Sequence, residues 1–143
     1  MTEAEIMAIE WQCTRLCHLF ANHNDRNDFR AVCDLFTEDG GFYRPSVPDT
    51  RISGREKIYE AFLQRPPLVI RHIVSNCVID VLSASEATGH SYLTFLAAPQ
   101  AATPLPLTPG PIHVGEFRDH FVKTAAGWRF RERKGCLALK TGA

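Results

Sequence analysis

The sequence predicts an α+β fold in which helices come first and an antiparallel sheet of long strands follows. Two patterns favour this class. Up to about residue 64, apolar residues recur at spacings of three and four, which is typical of helices with one buried face. After Pro66 and Pro67, long β-type runs separated by short turns take over. With 143 residues, the chain is expected to form a single domain over 1–143.

The first helix is predicted over residues 3–23. Its apolar stripe consists of Ile6, Ile9, Cys13, Leu16 and Phe20. The polar cluster 21–28 cannot continue this stripe and is typical of a helix end followed by a turn. This prediction places Asn24 and Asp25 in the turn after the helix.

A second, shorter helix is expected after Asp28, whose carboxylate can cap the first turn. Its apolar face would carry Phe29, Val32, Cys33 and Phe36. The segment EDGG, 38–41, should end this helix, because glycine readily adopts the backbone conformations of a turn. A brief strand, 42–44, and a loop, 45–52, are expected next.

The third helix is predicted to open at Ser53. Ser53 and Glu56 have the spacing of a capping box, in which each side chain accepts a hydrogen bond from the backbone N–H of the other residue. The helix should run to about Gln64, because Pro66 and Pro67 cannot continue it.

Four long strands are predicted, and they should form an antiparallel meander. They span residues 69–82, 87–97, 112–123 and 128–137. The segments 83–86 and 124–127 are short enough for hairpin turns. The segment 98–111 is rich in Pro and Thr, and it is expected to be a long hairpin loop or flap rather than a domain linker. The sequence leaves open whether this loop acts as a lid.

The strand at 69–82 is apolar on both faces if its side chains alternate regularly. Val74 and Val78 would lie on one face, and the other face would carry Ile73, Ile79 and Val81. An antiparallel sheet usually needs apolar residues only on the face that packs against the core. Helices can cover one face, so we expect a second copy of the chain to cover the other, in a homodimer or homotrimer.

The charges of the chain are balanced, with 16 Lys and Arg against 16 Asp and Glu. This balance gives no electrostatic basis for binding nucleic acid or an anionic membrane surface. No apolar run approaches the roughly 20 residues that a spanning helix needs, and the acidic, helical N-terminal segment is unlike a signal peptide. We therefore expect a cytoplasmic protein that binds neither nucleic acid nor membrane.

The five cysteines show none of the paired spacings that are typical of a zinc site. Cys13, Cys17 and Cys33 fall on the apolar faces of predicted helices, where a thiol behaves as a small hydrophobic group. Free, buried thiols and no metal ion are therefore expected.

The segment RHIVSN, 71–76, carries polar residues within a predicted strand. Side chains at even spacing share one face of a strand, so His72, Val74 and Asn76 are expected to point the same way. A histidine with a carboxylate partner is a general-base arrangement, because the carboxylate fixes the tautomer and stabilises the imidazolium. The alternative is a histidine whose ring nitrogens are satisfied by backbone groups or by Asn76. Periodicity alone does not decide between the two.

Other polar residues have ordinary structural alternatives too. Asp25 is also a typical turn residue. His90 and Tyr92 share a strand face and can form a half-exposed pair. The remaining polar candidates on the predicted sheet are His113, Asp119 and His120.

Four stretches, in their order and spacing, resemble the SnoaL-like branch of the nuclear-transport-factor-2-like superfamily: NDRNDFRAVCDLFTEDGGF, SGREKI, RHIVSNCVI and GEFRDHF…GWRFRER. The resemblance covers nearly the whole chain. It implies a cone-shaped fold, in which a strongly curved, mostly antiparallel sheet packs against three N-terminal helices and leaves an internal pocket. It also implies that the pocket-lining face of the sheet, which mixes polar and apolar residues, carries His72.

Within that superfamily the chain resembles scytalone dehydratase-like and hexachlorocyclohexane dehydrochlorinase-like enzymes. Both groups use an Asp after the first helix and a His on the first long strand, and Asp25 and His72 match these positions. The pair Tyr43–Arg44 resembles a Tyr-Arg pair of the dehydratases, which implies that Tyr43 helps to hold an oxygen of the substrate.

The chain departs from the dehydratase pattern at several positions. Asn24 stands where those enzymes carry a Tyr, and Ala97 falls where they carry a second pocket His. Gly115 and Phe117 lie near the positions of their Ser and Asn. The resemblance therefore implies that the His-Asp dyad is retained while the residues that contact the substrate have changed. Scytalone itself is not the expected substrate.

The resemblance thus implies a dehydratase-like lyase or isomerase that works without a cofactor or metal. His72 would abstract a proton from a small apolar cyclic or aromatic substrate, and Asp25 would orient the imidazole. The predicted substrate-binding residues are Tyr43, Asn24, Asn76, Tyr92, His90 and Phe117. The alternative is a non-catalytic domain of the same fold that binds a small ligand or supports a partner. A catalytic dyad requires a His72 nitrogen within roughly 2.6 to 3.2 Å of an Asp25 oxygen, beside an open cavity.

Overall fold

The computed structural model describes residues 1–142 and shows an α+β fold. The helices are α1 (Glu3–Asp25), α2 (Phe29–Cys33) and α3 (Arg55–Leu63). The strands are β1 (Phe36–Tyr43), β2 (Ile52–Ser53), β3 (Leu68–Ser83), β4 (Glu86–Pro99), β5 (His113–Thr124) and β6 (Gly127–Lys140). They form one open sheet in the order β2-β1-β6-β5-β4-β3. All pairs are antiparallel except β1 with β6, so the predicted fold class and the meander of four long strands are confirmed.

The core lies between α1 and one face of the sheet, called the inner face below. Phe20 from α1 is the centre of a cluster of rings, and its centroid lies between 5.5 and 6.2 Å from those of Phe36, Phe42, Phe117 and Phe130. All five side chains are at most 4% exposed. Burial of one such ring contributes roughly 1.5 to 3 kcal/mol. This cluster therefore fixes how α1 lies across the sheet.

Helix α1 extends two residues beyond its predicted end. Asn24 and Asp25 lie in the last turn of the helix rather than in the turn that follows it. Their polar side chains are tolerated there because both have partners: Arg65 donates to Asn24, and His72 contacts Asp25. The sequence prediction ended the helix too early because it took the end of the apolar stripe as the end of the helix.

The segment 38–41 is part of strand β1, so the predicted turn at this position is wrong, and α2 ends at Cys33. The glycines of this segment serve a different purpose. A Cβ on Gly41 would overlap the side chains of Glu132 and Arg51. A larger residue at this position would therefore require the ends of these two side chains to move away from the strand.

The predicted capping box at the start of α3 is also wrong. Gly54 is the N-cap residue, with φ +94°, and no side chain caps the helix. Ser53 belongs to strand β2, and its hydroxyl accepts a hydrogen bond from Arg51 at 2.8 Å. Glu56 forms an ion pair with Arg30 of α2 at 2.7 Å instead. Sheet pairing and a contact between helices have replaced the local motif.

Strand β3 contains an irregularity that changes which of its side chains share a face. The ladder to β4 is interrupted between Ser75 and Val78, and Asn76 has φ +50°. Side chains therefore do not alternate regularly across this point. His72 lies at the inner cavity described below, whereas Asn76 is exposed, so the predicted shared face of these two residues is wrong.

The outer face of the sheet, opposite the inner face, carries exposed apolar side chains. Ile73, Val78 and Tyr92 are 53%, 60% and 44% exposed, respectively. Val78 lies on the same face as Ile73, and not as Val74, because the irregularity in β3 intervenes. The second apolar face that suggested self-association is thus present, but it is formed by Ile73, Val78 and Tyr92.

None of the helices within residues 1–142 combines the length and the apolar composition needed to cross a bilayer.

Candidate active site

A cavity of about 370 Å³ opens between the inner face of the sheet, α1 and the end of α3. Its walls are mainly apolar and aromatic: Phe20, Phe42, Phe62, Leu93, Phe95 and Phe117. The polar residues that border it are Asn24, Arg44, Ser46, Gln64, Arg65 and His72. An apolar chamber with a few convergent polar groups is the usual form of a site for a small molecule.

His72 and Asp25 form a close pair beside this cavity. His72 Nδ1 lies 2.6 Å from Asp25 Oδ1. The backbone N–H of His72 also donates to the same carboxylate, at 3.2 Å to Oδ1 and 3.1 Å to Oδ2. Because one carboxylate receives both the backbone and the ring of His72, the imidazole is held in a fixed orientation. α1 supplies the carboxylate and β3 supplies the imidazole.

The pair is sheltered but not sealed. The side chains of His72 and Asp25 are 10% and 11% exposed, respectively. Phe95 covers one side of the imidazole, with the two ring centroids 5.5 Å apart. With Nδ1 held by Asp25, the other ring nitrogen, Nε2, has no hydrogen-bond partner among the described residues. This nitrogen is therefore available to a molecule in the cavity.

Arg65 is a site residue that the sequence reasoning missed. Its Nη1 donates to Asn24 Oδ1, and its Nη2 donates to the Asn24 carbonyl at 3.3 Å and to Asn27 Oδ1 at 3.0 Å. Burial lowers the pKa of Arg65, and the nearby carboxylate of Asp25 opposes this effect. An arginine directly before the Pro66–Pro67 stop looks like an ordinary exposed residue, so no local signal could have identified it.

Asn24 and Phe117, both predicted to bind substrate, line the cavity. Tyr43 does not. Strand side chains alternate, so Phe42 and Arg44 border the cavity while Tyr43 lies off it, with Lys134 Nζ 5.5 Å from the centre of its ring.

His90, Tyr92 and Asn76 also lie away from the cavity. His90 and Tyr92 are on the outer face of β4, because Leu93 of the same strand points inward. His90 Nε2 lies 3.4 Å from Glu116 Oε1, and its ring packs edge-on against Tyr92. The prediction that these three residues contact a ligand in the cavity is therefore corrected; alternation and the irregularity in β3 direct them elsewhere.

A second buried pair, Arg133 and Asp119, lies beneath the cavity. Arg133 Nη1 lies 2.7 Å from Asp119 Oδ2, and the two side chains are 0% and 1% exposed. The guanidinium also packs against the rings of Phe117 and Phe20, at 3.8 and 4.5 Å from their centroids. Burial raises the pKa of the Asp119 carboxyl, and Arg133 counteracts part of this rise. Phe117 and Phe20 separate this pair from the cavity that they line.

The cysteines within the described residues are free thiols, and Cys13, Cys17 and Cys33 are buried as predicted. Burial raises the pKa of Cys13 and of Cys33 to about 12. Cys77 is half-buried, and a hydrogen bond with Cys17 lowers its pKa to about 7. Residues 1–142 bring no three His, Cys, Asp or Glu side chains close enough together to share a metal ion.

Solved structures with the same fold include several that resemble the whole chain. A protein from Novosphingobium aromaticivorans DSM 12444, provisionally described as a scytalone dehydratase, is 21% identical with a TM-score of 0.84, over 99% of this chain and 92% of that one. A type 2 hexachlorocyclohexane dehydrochlorinase is 12% identical with a TM-score of 0.80, over 98% and 92%. A protein from Catenulispora acidiphila in complex with S-DNPA is 25% identical with a TM-score of 0.73, over 92% and 94%.

No curated protein matches the chain. The model of the SnoaL-like domain matches residues 5–134, which is most of the sequence. The fold, with its N-terminal helices and open sheet, is shared with the three similar structures. The resemblance drawn from the sequence motifs is thus confirmed: the chain belongs to the SnoaL-like domain family of the nuclear-transport-factor-2-like superfamily.

Proposed function

We propose that the protein is a cofactor-independent lyase or isomerase of the dehydratase type, with His72 as the general base. The observation that carries this proposal is the 2.6 Å contact between His72 Nδ1 and Asp25 Oδ1 beside an open cavity. A neutral imidazole whose Nδ1–H is donated to a carboxylate presents the lone pair of Nε2 to the substrate. The names of two similar proteins, a dehydratase and a dehydrochlorinase, both denote eliminations and support the same reaction class.

The reaction begins when His72 Nε2 removes a proton from an activated carbon. In a lyase reaction, the C–H electron pair forms a C=C bond, and the leaving group departs from the neighbouring carbon with its own bonding electrons. In an isomerase reaction, the C–H pair forms a C=C bond to an adjacent carbonyl carbon while the carbonyl π pair moves onto oxygen. The imidazolium then returns the proton to a different carbon of the enolate, and the carbonyl bond forms again. Asp25 stabilises the imidazolium between these steps. General-base catalysis of this kind typically contributes roughly 10² to 10⁴ of rate, and positioning in a dry cavity contributes further.

The proposed substrate is a small cyclic or aromatic molecule. The aromatic walls of the cavity, including Phe62 and Phe95, favour a flat apolar body. Asn24 and Phe117 border the cavity and are proposed to contact the substrate. Proton transfer and leaving-group departure in this mechanism need no metal ion and no cofactor.

The test measures turnover of a panel of hydroxylated polycyclic ketones, with product formation monitored by spectroscopy. Asp25→Asn keeps an acceptor for the His72 backbone N–H but loses the carboxylate charge, and it should lower kcat/KM at least tenfold. His120→Gln is the matched control, because His120 Nε2 lies 2.6 Å from Glu86 Oε1 on the outer face. If Asp25→Asn and His72→Ala both remain within tenfold of the wild type, the dyad has no catalytic role.

A second candidate function is binding of a small ligand without turnover. It is favoured by the similar Catenulispora acidiphila protein, whose structure holds S-DNPA. The two functions are distinguished by turnover and by proton exchange. A binding protein would hold members of the panel without releasing product and without accelerating the exchange of their carbon-bound acidic protons in D₂O.

The homodimer or homotrimer and the cytoplasmic location stay predictions. The exposed apolar side chains of the outer face, such as Ile73 and Val78, support self-association. Size-exclusion chromatography with light scattering tests self-association, and a stable monomer at low micromolar concentration would contradict it.

A further inference from the structure

The charge of the cavity wall is one-sided. Two arginines, Arg44 and Arg65, border the cavity, and no Asp or Glu is among its lining residues. Within residues 1–142, neither guanidinium has a carboxylate oxygen within 4.0 Å. The His72–Asp25 pair does not cancel this positive charge. A neutral imidazole beside a carboxylate adds one negative charge, whereas the two arginines add two positive charges.

Both arginines belong to the wall of the cavity around the end of α3. Arg44 Nη2 donates to the carbonyl of Ala61, in the last turn of that helix, at 2.9 Å. Arg65 follows the helix by two residues, and Ala61 and Gln64 line the same wall. The two cations are therefore placed on the same side of the chamber.

Arg65 is fixed and partly desolvated. Hydrogen bonds to Asn24 and Asn27 hold both ends of its fork, and its guanidinium carbon lies 4.9 Å from the centre of the Phe29 ring. Its Nε–H is buried without a hydrogen-bond partner among the described residues. A cation that has lost water and donates its hydrogen bonds only to neutral acceptors gains strongly from an anion, since charge-assisted hydrogen bonds strengthen in a low dielectric.

We propose that the cavity takes an anionic substrate: a cyclic or aromatic body that carries a carboxylate or a similar group bound by Arg44 and Arg65. This inference rests on the proposed function, because it defines the substrate class of the same site. The apolar body packs between the Phe walls, the anionic group lies at the arginines, and the reacting carbon faces His72. The anionic group is a handle, since a carboxylate does not acidify the C–H beside it enough for an imidazole to act on it.

A structural role for the two arginines makes different predictions. Arg44 would only cap the negative end of α3, and Arg65 would only fasten α1 to the segment after α3. In that case both residues would matter for stability, but they would not distinguish an anionic from a neutral ligand of the same shape.

The experiment uses 2-naphthoate and 2-naphthamide, which share a ring system and differ in charge, with affinity measured by calorimetry. The wild type should bind naphthoate roughly tenfold tighter than naphthamide or better, and added salt should reduce that preference. Arg44→Gln and Arg65→Gln should each reduce the preference about tenfold while leaving naphthamide affinity within about twofold. Arg65→Lys, which keeps the charge but loses the fork, should lie between.

Arg118→Gln is the control for net charge, because Arg118 is exposed and lies beside Glu116. It should leave the preference unchanged. Arg44→Gln keeps the test valid if Arg65→Gln fails to fold. Equal affinities for the two probes in the wild type, no naphthoate binding at millimolar concentration, or a preference that survives both glutamine variants would each overturn the inference.

The outcomes separate this inference from the proposed function. His72→Ala should lower turnover by roughly 10² to 10⁴ yet keep the preference for naphthoate. An enzyme that needs His72 but shows no preference for the anion would overturn the anionic substrate class alone. A preference for the anion without any effect of His72 on turnover would overturn the general base alone.

Discussion

Two acid–base pairs of this protein have nearly the same contact distance and opposite surroundings. His72 and Asp25 meet at 2.6 Å beside a cavity of about 370 Å³. Arg133 and Asp119 meet at 2.7 Å beneath the rings that floor the same cavity, with no solvent exposure of Arg133. The first pair leaves a ring nitrogen free toward the cavity, whereas aromatic faces enclose the second.

The comparison teaches that a short contact distance does not by itself identify a reactive pair. A reactive pair must also be accessible to a substrate and contain a group that can gain and lose a proton. A histidine changes its charge near neutral pH, whereas an arginine keeps its proton at any physiological pH. The Arg133–Asp119 pair therefore suits support of the floor rings, Phe20 and Phe117, rather than proton transfer. Four substitutions test this division, from the largest expected effect to the smallest.

His72→Gln should have the largest effect, and the effect should be on activity. Loss of the general base should lower kcat/KM by roughly 10² to 10⁴. Stability should change by only about 1 kcal/mol, because the side chain borders an open space and Gln keeps a polar group near Asp25. Steady-state kinetics and urea unfolding measure the two quantities. A loss of stability without a loss of activity would reverse the proposed roles of the two pairs.

Asp119→Asn should affect stability instead. It leaves the buried cation of Arg133 without its counter-charge, and arginine cannot neutralise itself by losing a proton. Removal of one partner of a buried ion pair typically costs about 3 to 5 kcal/mol. The free energy of unfolding in urea measures this cost. A loss below about 1 kcal/mol would show that the pair contributes little to the fold.

Arg133→Met should cost less than Asp119→Asn, and its cost should depend on pH. Burial already raises the pKa of Asp119, and removal of Arg133 removes the group that lowers it. The carboxyl can therefore bind a proton in the folded state. A raised folded-state pKa gives stability that is present below the unfolded value and is lost as the pH rises through the folded value.

The free energy of unfolding of Arg133→Met should accordingly be closer to the wild-type value at pH 4 than at pH 7. Denaturation at both pH values checks this, with Arg118→Met as the exposed control. A deficit that is independent of pH would mean that Arg133 does not control the pKa of Asp119.

Glu86→Gln should have the smallest effect. His120 Nε2 lies 2.6 Å from Glu86 Oε1, but Glu86 is 47% exposed, so solvent screens the pair. Exposed pairs typically contribute about 0.2 to 1 kcal/mol. Thermal unfolding and turnover should both stay close to wild type. A clear loss of activity would mean that the outer face takes part in function.

The sequence predicted the elements whose signals are local and regular. The stripe along α1 and the four long strands repeat their pattern over many residues, so a single exception does not hide them. The segment 38–41 and Ser53 were misread because each local signal had two meanings. Glycines fit a turn and also a crowded strand, and Ser-x-x-Glu fits a capping box and also a strand end beside a helix.

The candidate site was predicted unevenly for a related reason. His72 and Asp25 were singled out through the resemblance to a family, since periodicity alone left a structural alternative open. Phe117 and Asn24 border the cavity as expected, but Asn76 does not, because the irregularity in β3 redirects it. Arg65 carried no signal, because its partner Asn24 lies 41 residues away in the chain.

The sequence by itself determined the α+β class, the order of the helices and the meander, and two residues of suitable chemistry at matching positions. Only the tertiary structure decided that these two residues touch and that they border an open chamber. It also decided that this chamber is shared by two arginines with no carboxylate partner among residues 1–142. The physical reason is range. Periodicity and propensity act over a few neighbouring residues, whereas a cavity and its charge depend on side chains that meet only after distant segments have packed.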